Sequence, residues 1–448
     1  MMARRLGSSE FGDFVFGLSL AQILMLVAGV GSEELIAREL ARDPNRIHDL
    51  FLDVYRFKTI LLSALWLVMW GIVALAGYRL QTQLAMLAIG AGVAVESNTR
   101  TINAVFGALE RSHLIAVTLI AQRGLTAGFG VLALLLGAKL LIVSVVFLLG
   151  SVAGQVVARH ALRRKVVKPR GRPDRSRWPA IVRAGLGFGL VGAGYMVLIR
   201  IDGTLLGLLI PGAEDNSQLG YYGAAYRLVE ATMFISWGFS GAMLPWLARG
   251  QGGGLSPARG MAIAIKLLGV VLGALSAGFV LFAEPLVDLF YGDAYAGAVG
   301  PMRVIGAMAL IYGLNSFLGA VLISRGIPLR YLRPLLSVIA LNVVLSLLLI
   351  PRWQASGAAA AAIVSGVVLL FWVGLRVRAA VGDFNLAAAI GVPLLAAAAA
   401  TAATLVIGSD RPLLVAPLAA VAYLGVVIPL ELTVFRSDLA VYRRALGR

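Results

Sequence analysis

The chain has 448 residues, of which 60% are hydrophobic and 14% are charged, and a soluble core does not accommodate that much apolar surface. Cysteine is absent, and the three histidines, His48, His113 and His160, lie far apart, which argues against disulfides and against thiolate or histidine metal sites. No G-x-x-x-x-G-K loop followed by Ser or Thr occurs, which excludes an ATP-driven motor within this sequence. Because the composition is that of a membrane protein, we attribute the formal net charge of +17 to basic residues in its loops, and no nucleic-acid partner is predicted.

Apolar runs long enough to cross a bilayer predict an all-α, polytopic membrane protein. In chain order, thirteen such runs lie near residues 14–31, 58–77, 84–108, 114–137, 140–159, 184–210, 219–247, 262–282, 300–323, 334–350, 357–376, 388–408 and 412–434. After the first run, Asp43-Pro44 predicts a helix start, and apolar residues follow at helical spacing at Ile47, Leu50, Phe51 and Val54. This segment is either a short interfacial helix or an extension of the next span.

Lysine and arginine are distributed unevenly among the connections between these runs. Successive connections lie on opposite sides of the membrane. Those on one side carry 28 basic residues, and those on the other side carry six. Because basic residues concentrate on the cytoplasmic side of a membrane, this split predicts a cytoplasmic C-terminus and a cytoplasmic basic linker at 161–183. The linker either binds anionic headgroups or only sets the topology.

Weak internal similarity indicates two related halves of about 210 residues. Phe11-Gly12 resembles Leu219-Gly220 at an offset of 208, and Asn103-x-x-x-Gly107-Ala108 recurs as Asn315-x-x-x-Gly319-Ala320 at an offset of 212. The predicted domains are an N-terminal lobe (1–160), the linker (161–183), a C-terminal lobe (184–376) and an additional helix pair with a cytoplasmic tail (377–448).

The second half has a whole helix, 184–210, before Leu219-Gly220, whereas only ten residues precede Phe11-Gly12. We therefore expect the chain to begin after its natural first helix, and the full protein to have fourteen spans with its N-terminus inside. The helix at 184–210 also carries glycines in its inner half, at positions 185, 187, 189, 192 and 194. Such a run either allows the helix to bend or allows tight static packing.

Five arginines lie inside predicted spans: Arg100, Arg123, Arg200, Arg227 and Arg303. A cation in the bilayer is costly and therefore faces a polar cavity, pairs with an acid or binds an anion. Arg303 is close enough to a helix end to reach the interface. The other four are candidate substrate-binding residues of a cationic cavity, with Arg100 and Arg123 in the first lobe and Arg200 and Arg227 in the second. Their forked, always charged guanidinium groups suit a phosphate or pyrophosphate.

Three acids accompany these arginines. Glu96 precedes Arg100 by four residues, a favourable spacing for a helical ion pair, and Glu230 follows Arg227 by three, whereas Asp202 does not share a helix face with Arg200. Either each acid neutralises its neighbouring arginine, or Glu96, Asp202 and Glu230 take up H+ or Na+ during a transport cycle. No other cofactor, no metal and no catalytic residue is predicted.

Several segments, in order, resemble one family. They are Ala3-Arg4-Arg5-Leu6-Gly7-Ser8-Ser9-Glu10-Phe11-Gly12, Arg38-Glu39-Leu40-Ala41-Arg42, Gly220-Tyr221-Tyr222-Gly223-Ala224-Ala225-Tyr226-Arg227, Tyr291-Gly292-Asp293-Ala294-Tyr295 and Leu348-Leu349-Ile350-Pro351-Arg352. With this pattern the chain is similar to the polysaccharide-biosynthesis, O-antigen-type flippases of the multidrug, oligosaccharidyl-lipid and polysaccharide (MOP) exporter superfamily.

The resemblance implies two pseudo-symmetric six-helix lobes forming a V around a central cavity, here with an additional C-terminal helix pair. It also implies a function outside catalysis. Such proteins flip an isoprenoid (undecaprenyl) pyrophosphate-linked oligosaccharide from the inner to the outer leaflet of the bacterial cytoplasmic (inner) membrane by alternating access, for O-antigen or exopolysaccharide synthesis. The implied partners are the lipid-linked glycan, membrane lipids, a polysaccharide polymerase and chain-length machinery.

Three other functions remain open. A peptidoglycan lipid-precursor flippase would carry the same anionic anchor. A drug or metabolite extruder of the same superfamily favours cationic substrates, which the excess of arginine argues against. A polytopic glycosyltransferase or polymerase would need acids on an outer loop, where Glu284, Asp288 and Asp293 are present but no Asp-x-Asp pair occurs.

Overall fold

The computed structural model describes residues 1–29, 31–167, 174–210, 216–249, 256–325, 328–382, 386–407 and 412–433. These residues are helical without any strand, which confirms the predicted all-α class. The α-helices are α1 (Met2–Gly29), α2 (Ser32–Arg42), α3 (Ile47–Leu75), α4 (Leu80–Ala108), α5 (Ser112–Leu135), α6 (Leu140–Ala161), α7 (Trp178–Leu209), α8 (Ser217–Glu230), α9 (Met233–Arg249), α10 (Pro257–Leu281), α11 (Ala283–Tyr291), α12 (Val299–Ile305), α13 (Met308–Ser324), α14 (Pro328–Val381), α15 (Leu386–Ile407) and α16 (Pro412–Thr433).

The helices pack into two compact units. The first comprises Met1–Gly223 and Val343–Ala355, and the second comprises Ala224–Asn342 and Ser356–Arg448. By packing, α7 belongs to the first unit, although the sequence predicts a second lobe that begins at residue 184. The predicted lobe boundaries stay a prediction, as do the V-shaped arrangement and its central cavity.

In the first unit, α4 is the central helix and packs against α1, α2, α3 and α6. In the second unit, α10 packs against α13 and α15, and α15 packs against α16. The hydroxyl of Tyr423 on α16 donates to the backbone oxygen of Val270 on α10 at 2.8 Å, which satisfies a polar group inside an apolar cluster.

Seven helical segments of the described residues are each long and apolar enough to cross a membrane: Met2–Arg42, Ile47–Leu75, Ser112–Leu135, Leu140–Val166, Gly189–Leu209, Ala258–Leu281 and Tyr331–Val381. The bent pair Asp293–Ile305 and Met308–Ser324 makes eight if it is one span. Large apolar side chains on α5, such as Ile120 and Phe129, are exposed, as a lipid-facing helix requires. The chain is therefore a multi-pass membrane protein, and the number of thirteen spans stays a prediction.

The segment that follows Asp43-Pro44 is an extension of a span. A 3-10 turn at Pro44–Arg46 leads directly into α3, which continues without a break from Ile47 to Leu75. Leu50, Phe51 and Val54 are buried in a core cluster with residues of α2, α4 and α6. The apolar face therefore packs against protein, and the interfacial-helix interpretation is wrong.

The described ends of the basic linker are attached to the first unit. The guanidinium of Arg111 donates to the backbone oxygen of Lys165, and the backbone N–H of Asp174 donates to Asp53 Oδ1 at 2.6 Å. The side chain of Asp174 accepts hydrogen bonds from the hydroxyl and backbone N–H of Ser176, which lower the pKa of its carboxyl group. Residues 168–173 of the linker lie outside the described residues.

Helices α1 and α8 meet through glycines that the sequence repeat relates. A Cβ on Gly12 would lie 2.0 Å from the backbone oxygen of Asn216, and a Cβ on Gly220 would lie 2.0 Å from that of Ser8. Only a residue without a side chain fits at either position. The side-chain amide of Asn216 secures the same contact by donating to Asp13 Oδ1 at 2.6 Å.

The glycine run of α7 also allows close packing. A Cβ on Gly31 would lie 1.9 Å from the backbone oxygen of Gly185, so α2 and α7 approach each other at the backbone. Gly31 has a φ of 67°, a conformation that glycine adopts without strain. Helix α7 itself is continuous from Trp178 to Leu209, and the structure supports the close-packing interpretation at Gly185.

We predict that Gly12→Ala lowers the stability of the folded protein, because the new methyl group collides with the backbone of α8. Such overpacking costs about 1–3 kcal/mol. Thermal unfolding of the purified protein in detergent measures the effect. Gly128→Ala on α5 is the matched control, since a Cβ there meets nothing within 4 Å. Equal melting temperatures for the two variants would contradict the close α1–α8 contact.

Candidate functional site

A group of charged side chains lies inside the first unit, where α2, α3, α4 and α5 meet. Helix α1 ends at Gly29, and α2 begins at Ser32 with Glu33 and Glu34 in its first turn. Carboxylates are favoured at a helix N-terminus because the unpaired backbone N–H groups there carry partial positive charge. The break between α1 and α2 thus positions an acid inside the helical bundle.

Lys58 on α3 is the most deeply buried cation of this group, with 0% of its side chain exposed. Its ammonium group donates to Glu33 Oε1 at 3.1 Å and to Thr101 Oγ1 at 3.0 Å. A buried ammonium group needs this compensation, because its desolvation costs several kcal/mol. Lys58 therefore fixes α2, α3 and α4 against one another.

Arg100 shares the same carboxylate oxygen. Its Nε lies 3.3 Å from Glu33 Oε1, while 46% of its side chain remains exposed. One carboxylate thus faces two cations. The outward N–H groups of the Arg100 guanidinium remain accessible for further acceptors.

Arg123 on α5 completes the group, which we call the α4 charge cluster: Glu33, Lys58, Glu96, Arg100, Thr101 and Arg123. Arg123 Nη2 lies 2.9 Å from Glu96 Oε1, and 60% of the Arg123 side chain is exposed. Glu96 therefore forms its ion pair with Arg123 on α5, and the ion pair of Arg100 is with Glu33 on α2. Acids and bases on neighbouring helices approach these two residues more closely than they approach each other.

In the α4 charge cluster, Arg100 lies on α4, and Arg123 of α5 contacts Glu96, which lies on α4 about one turn before Arg100. Between them, the polar residues Ser97, Asn98 and Thr99 are buried. Ser97 Oγ and the side-chain oxygen of Asn98 have no hydrogen-bond partner among the described residues. The site therefore keeps polar atoms that a ligand, an ion or water can satisfy.

Glu33, Lys58 and Thr101 are not among the residues predicted from the sequence, because Glu33 follows the first apolar run and Lys58 stands at the boundary of the second. A signal for Lys58 is present in the sequence. Residues 47, 50, 51, 54, 58 and 62 follow one helical face, and all but Lys58 are apolar. A lysine in phase with a buried apolar face predicts a buried cation, and this pattern identifies it.

Arg200 and Asp202 lie on α7 in the first unit. Asp202 is 1% exposed, and the hydroxyl of Tyr222 on α8 donates to its Oδ2 at 3.4 Å. The backbone oxygen of Arg200 accepts a hydrogen bond from Thr204 Oγ1 at 3.3 Å. Asp202, whose spacing places it on a different helix face from Arg200, thus has a hydrogen-bond partner on α8.

Arg227 and Glu230 lie in the second unit, at the end of α8. Arg227 Nη1 is 3.9 Å from Glu230 Oε2, so the predicted pair within one helix is present. The neighbouring Tyr291 hydroxyl donates to the backbone oxygen of Ala224 at 2.9 Å. Arg200 and Arg227 belong to different packing units, and their common site stays a prediction.

Arg303 lies at the end of α12 and is exposed, with its Nη2 3.9 Å from Glu284 Oε2. This position agrees with its exclusion from the candidate site. Among the described residues, no group of three or more histidine, aspartate or glutamate side chains is arranged to hold a metal ion.

Fold and site together define a multi-pass helical membrane protein with a charged cluster between its helices. The profile of the family described as polysaccharide biosynthesis protein matches residues 1–251, more than half of the chain. The chain therefore belongs to the polysaccharide biosynthesis protein family, which confirms the resemblance read from its sequence. No curated protein sequence matches the chain significantly.

Solved structures show that the fold is that of MOP superfamily transporters. The lipid II flippase MurJ in an inward closed conformation has a TM-score of 0.73 at 13% identity, over 100% of this chain and 98% of that one. An inward-facing multidrug resistance MATE family transporter has a TM-score of 0.68 at 16% identity, over 84% of this chain and 92% of that one. A MOP superfamily transporter from Pyrococcus furiosus, described as having a binding pocket of reverse polarity, has a TM-score of 0.55 at 16% identity, over 82% of this chain and 86% of that one.

We predict that Glu33→Gln destabilises the protein more than Lys58→Met does. Removal of Glu33 leaves a buried, poorly compensated ammonium group, at a cost on the order of 3 kcal/mol. Lys58→Met replaces the cation by an apolar side chain of similar size, while Arg100 still compensates Glu33. Thermal unfolding in detergent compares both variants with the double variant, which should be close to wild type. A double variant as unstable as Glu33→Gln alone would show that the ion pair does not determine stability.

Proposed function

We propose that the protein is a flippase for isoprenoid (undecaprenyl) pyrophosphate-linked oligosaccharide and moves it from the inner to the outer leaflet of the bacterial cytoplasmic membrane by alternating access. The product would enter surface polysaccharide synthesis, such as O-antigen or exopolysaccharide. Membership of the polysaccharide biosynthesis family supports the substrate class, and the transporter fold supports movement across the membrane rather than catalysis.

The observation that carries this proposal is the α4 charge cluster. Arg100 and Arg123 are each paired with one carboxylate, yet 46% and 60% of their side chains are exposed, so both keep donors for another anion. A guanidinium group binds phosphate oxygens through parallel N–H donors and is always charged. A pyrophosphate with several acceptor oxygens can bind two such groups at once.

Arg200 and Arg227 are proposed to contact the same anionic group at another stage of transport. Glu96, Asp202 and Glu230 are proposed either to neutralise arginines when substrate is absent or to bind H+ or Na+ that couples the cycle. Asp202 suits the second role best, because it is 1% exposed and its protonation would change its hydrogen bond with Tyr222.

A peptidoglycan lipid-precursor flippase is the second candidate. The lipid II flippase MurJ covers the whole chain in the structural comparison, and a lipid-linked precursor with the same pyrophosphate anchor would use the same arginines. This chain also shares its fold with a multidrug resistance MATE family transporter. The arginines of the α4 charge cluster, however, do not suit a cationic drug. Polymerase and chain-length proteins are proposed partners, and a cytoplasmic C-terminus is the proposed topology.

We predict that charge reversal at any of the four arginines abolishes glycan export while the protein still inserts in the membrane. The test is complementation of a bacterial strain that lacks its polysaccharide flippase, with surface glycan as readout and membrane protein level as reference. Arg100→Glu, Arg123→Glu, Arg200→Glu and Arg227→Glu should each lower surface glycan at least about tenfold, the effect of losing 1.4 kcal/mol of binding.

Arg79→Glu is the matched control, because Arg79 is exposed at the start of α4 and forms no ion pair with any residue that the structure describes. Equal loss of glycan with Arg79→Glu would indicate misfolding instead of a lost binding site. A second strain, depleted of its peptidoglycan precursor flippase, separates the two candidates. Rescue of that strain alone would overturn the surface-polysaccharide assignment in favour of the precursor.

A further inference from the structure

A groove lies in the first unit where the start of α7 packs near α3. It has a volume of about 530 Å³ and is lined by Phe57, Arg175, Trp178, Pro179, Val182 and Arg183. It is separate from the α4 charge cluster, with which it shares no residue. The segment that forms it precedes the apolar part of α7, Gly189–Leu209, and so lies toward the end of that span.

The floor of the groove is aromatic. The rings of Phe57 and Trp178 have their centroids 5.3 Å apart. The guanidinium carbon of Arg175 lies 5.7 Å from the centroid of the Trp178 ring, within range of a cation–π interaction. Tryptophan is enriched at the boundary between lipid tails and water, where its ring contacts the chains and headgroups together.

The two arginines of the groove carry charge that the described protein does not neutralise. Neither Arg175 nor Arg183 forms an ion pair with a described carboxylate. The nearby acids face Arg177 instead, whose guanidinium lies 3.4 Å from Asp49, 3.6 Å from Asp53 and 3.5 Å from Asp174. The groove therefore combines a positive rim with an apolar floor.

We propose that this groove binds an anionic phospholipid of the surrounding leaflet, with its phosphate at Arg175 and Arg183 and its acyl chain along Phe57, Trp178 and Val182. Charge complementarity selects an anionic headgroup over a zwitterionic one. The apolar floor selects a lipid over free phosphate, which has no hydrophobic part to bury.

Quenching of tryptophan fluorescence by brominated lipids tests the proposal. The full-length protein is reconstituted in phosphatidylcholine vesicles that contain an equal share of dibrominated phosphatidylglycerol or dibrominated phosphatidylcholine. The chain has seven tryptophans, and the difference between wild type and Trp178→Phe isolates the signal of Trp178. We expect brominated phosphatidylglycerol to quench this component more strongly than brominated phosphatidylcholine.

In the background Arg175→Gln/Arg183→Gln, the preference for the anionic lipid should fall about tenfold or more. Arg163→Gln/Arg164→Gln is the matched control, since both residues are exposed, lie in the same basic stretch and do not line the groove. Retained preference in this control, with loss in the first variant, supports the site. Equal quenching by the two lipids in wild type, or equal loss in both double variants, would overturn it, the latter because diffuse charge would then account for the selectivity.

Discussion

An ammonium group with no exposed surface, inside an otherwise apolar helix face, has to be compensated by neighbouring groups. In this protein the Glu33 carboxylate and the Thr101 hydroxyl compensate Lys58, and they come from two other helices. Because an unpaired charge there is so costly, the relative positions of α2, α3 and α4 depend on this contact. The position of Arg100 follows from it, since the same oxygen of Glu33 is its partner.

Close backbone approaches make that arrangement possible. Gly31 allows α2 to reach the backbone of α7 at Gly185, and Gly12 and Gly220 do the same for α1 and α8. Hydrophobic attraction is weak between helices in lipid, so such contacts contribute packing energy and orientation. Gly12 and Gly220 occupy equivalent positions in the sequence repeat and also lie close together in the structure. A duplicated helical unit with internal symmetry produces such contacts.

The sequence was sufficient for the helical class, the membrane location and the family, because apolar runs and ordered motifs are properties of the chain itself. It also identified the Arg227–Glu230 pair, whose two members lie one turn apart on one helix. It did not identify the partners of Glu96 and Arg100, since those come from α5 and α2 and depend on how the helices are rotated. The burial of Lys58 is hidden for a related reason, because the apolar run begins at residue 58, whereas α3 begins eleven residues earlier, at Ile47.

Because Glu33 contacts both Lys58 and Arg100, the cations of the α4 charge cluster already have a counterion that is part of the protein. Under the proposed function, an anion that displaces Glu33 from Arg100 would bind with the difference between two free energies, that of its own contacts with the guanidinium group and that of the Glu33 contact it replaces. A headgroup with a single negative charge would gain little from such an exchange, whereas a pyrophosphate can replace the carboxylate and still present oxygens to a second guanidinium. Under the proposed function, a preference for a multiply charged anchor would therefore arise at the α4 charge cluster, before any contact with sugar.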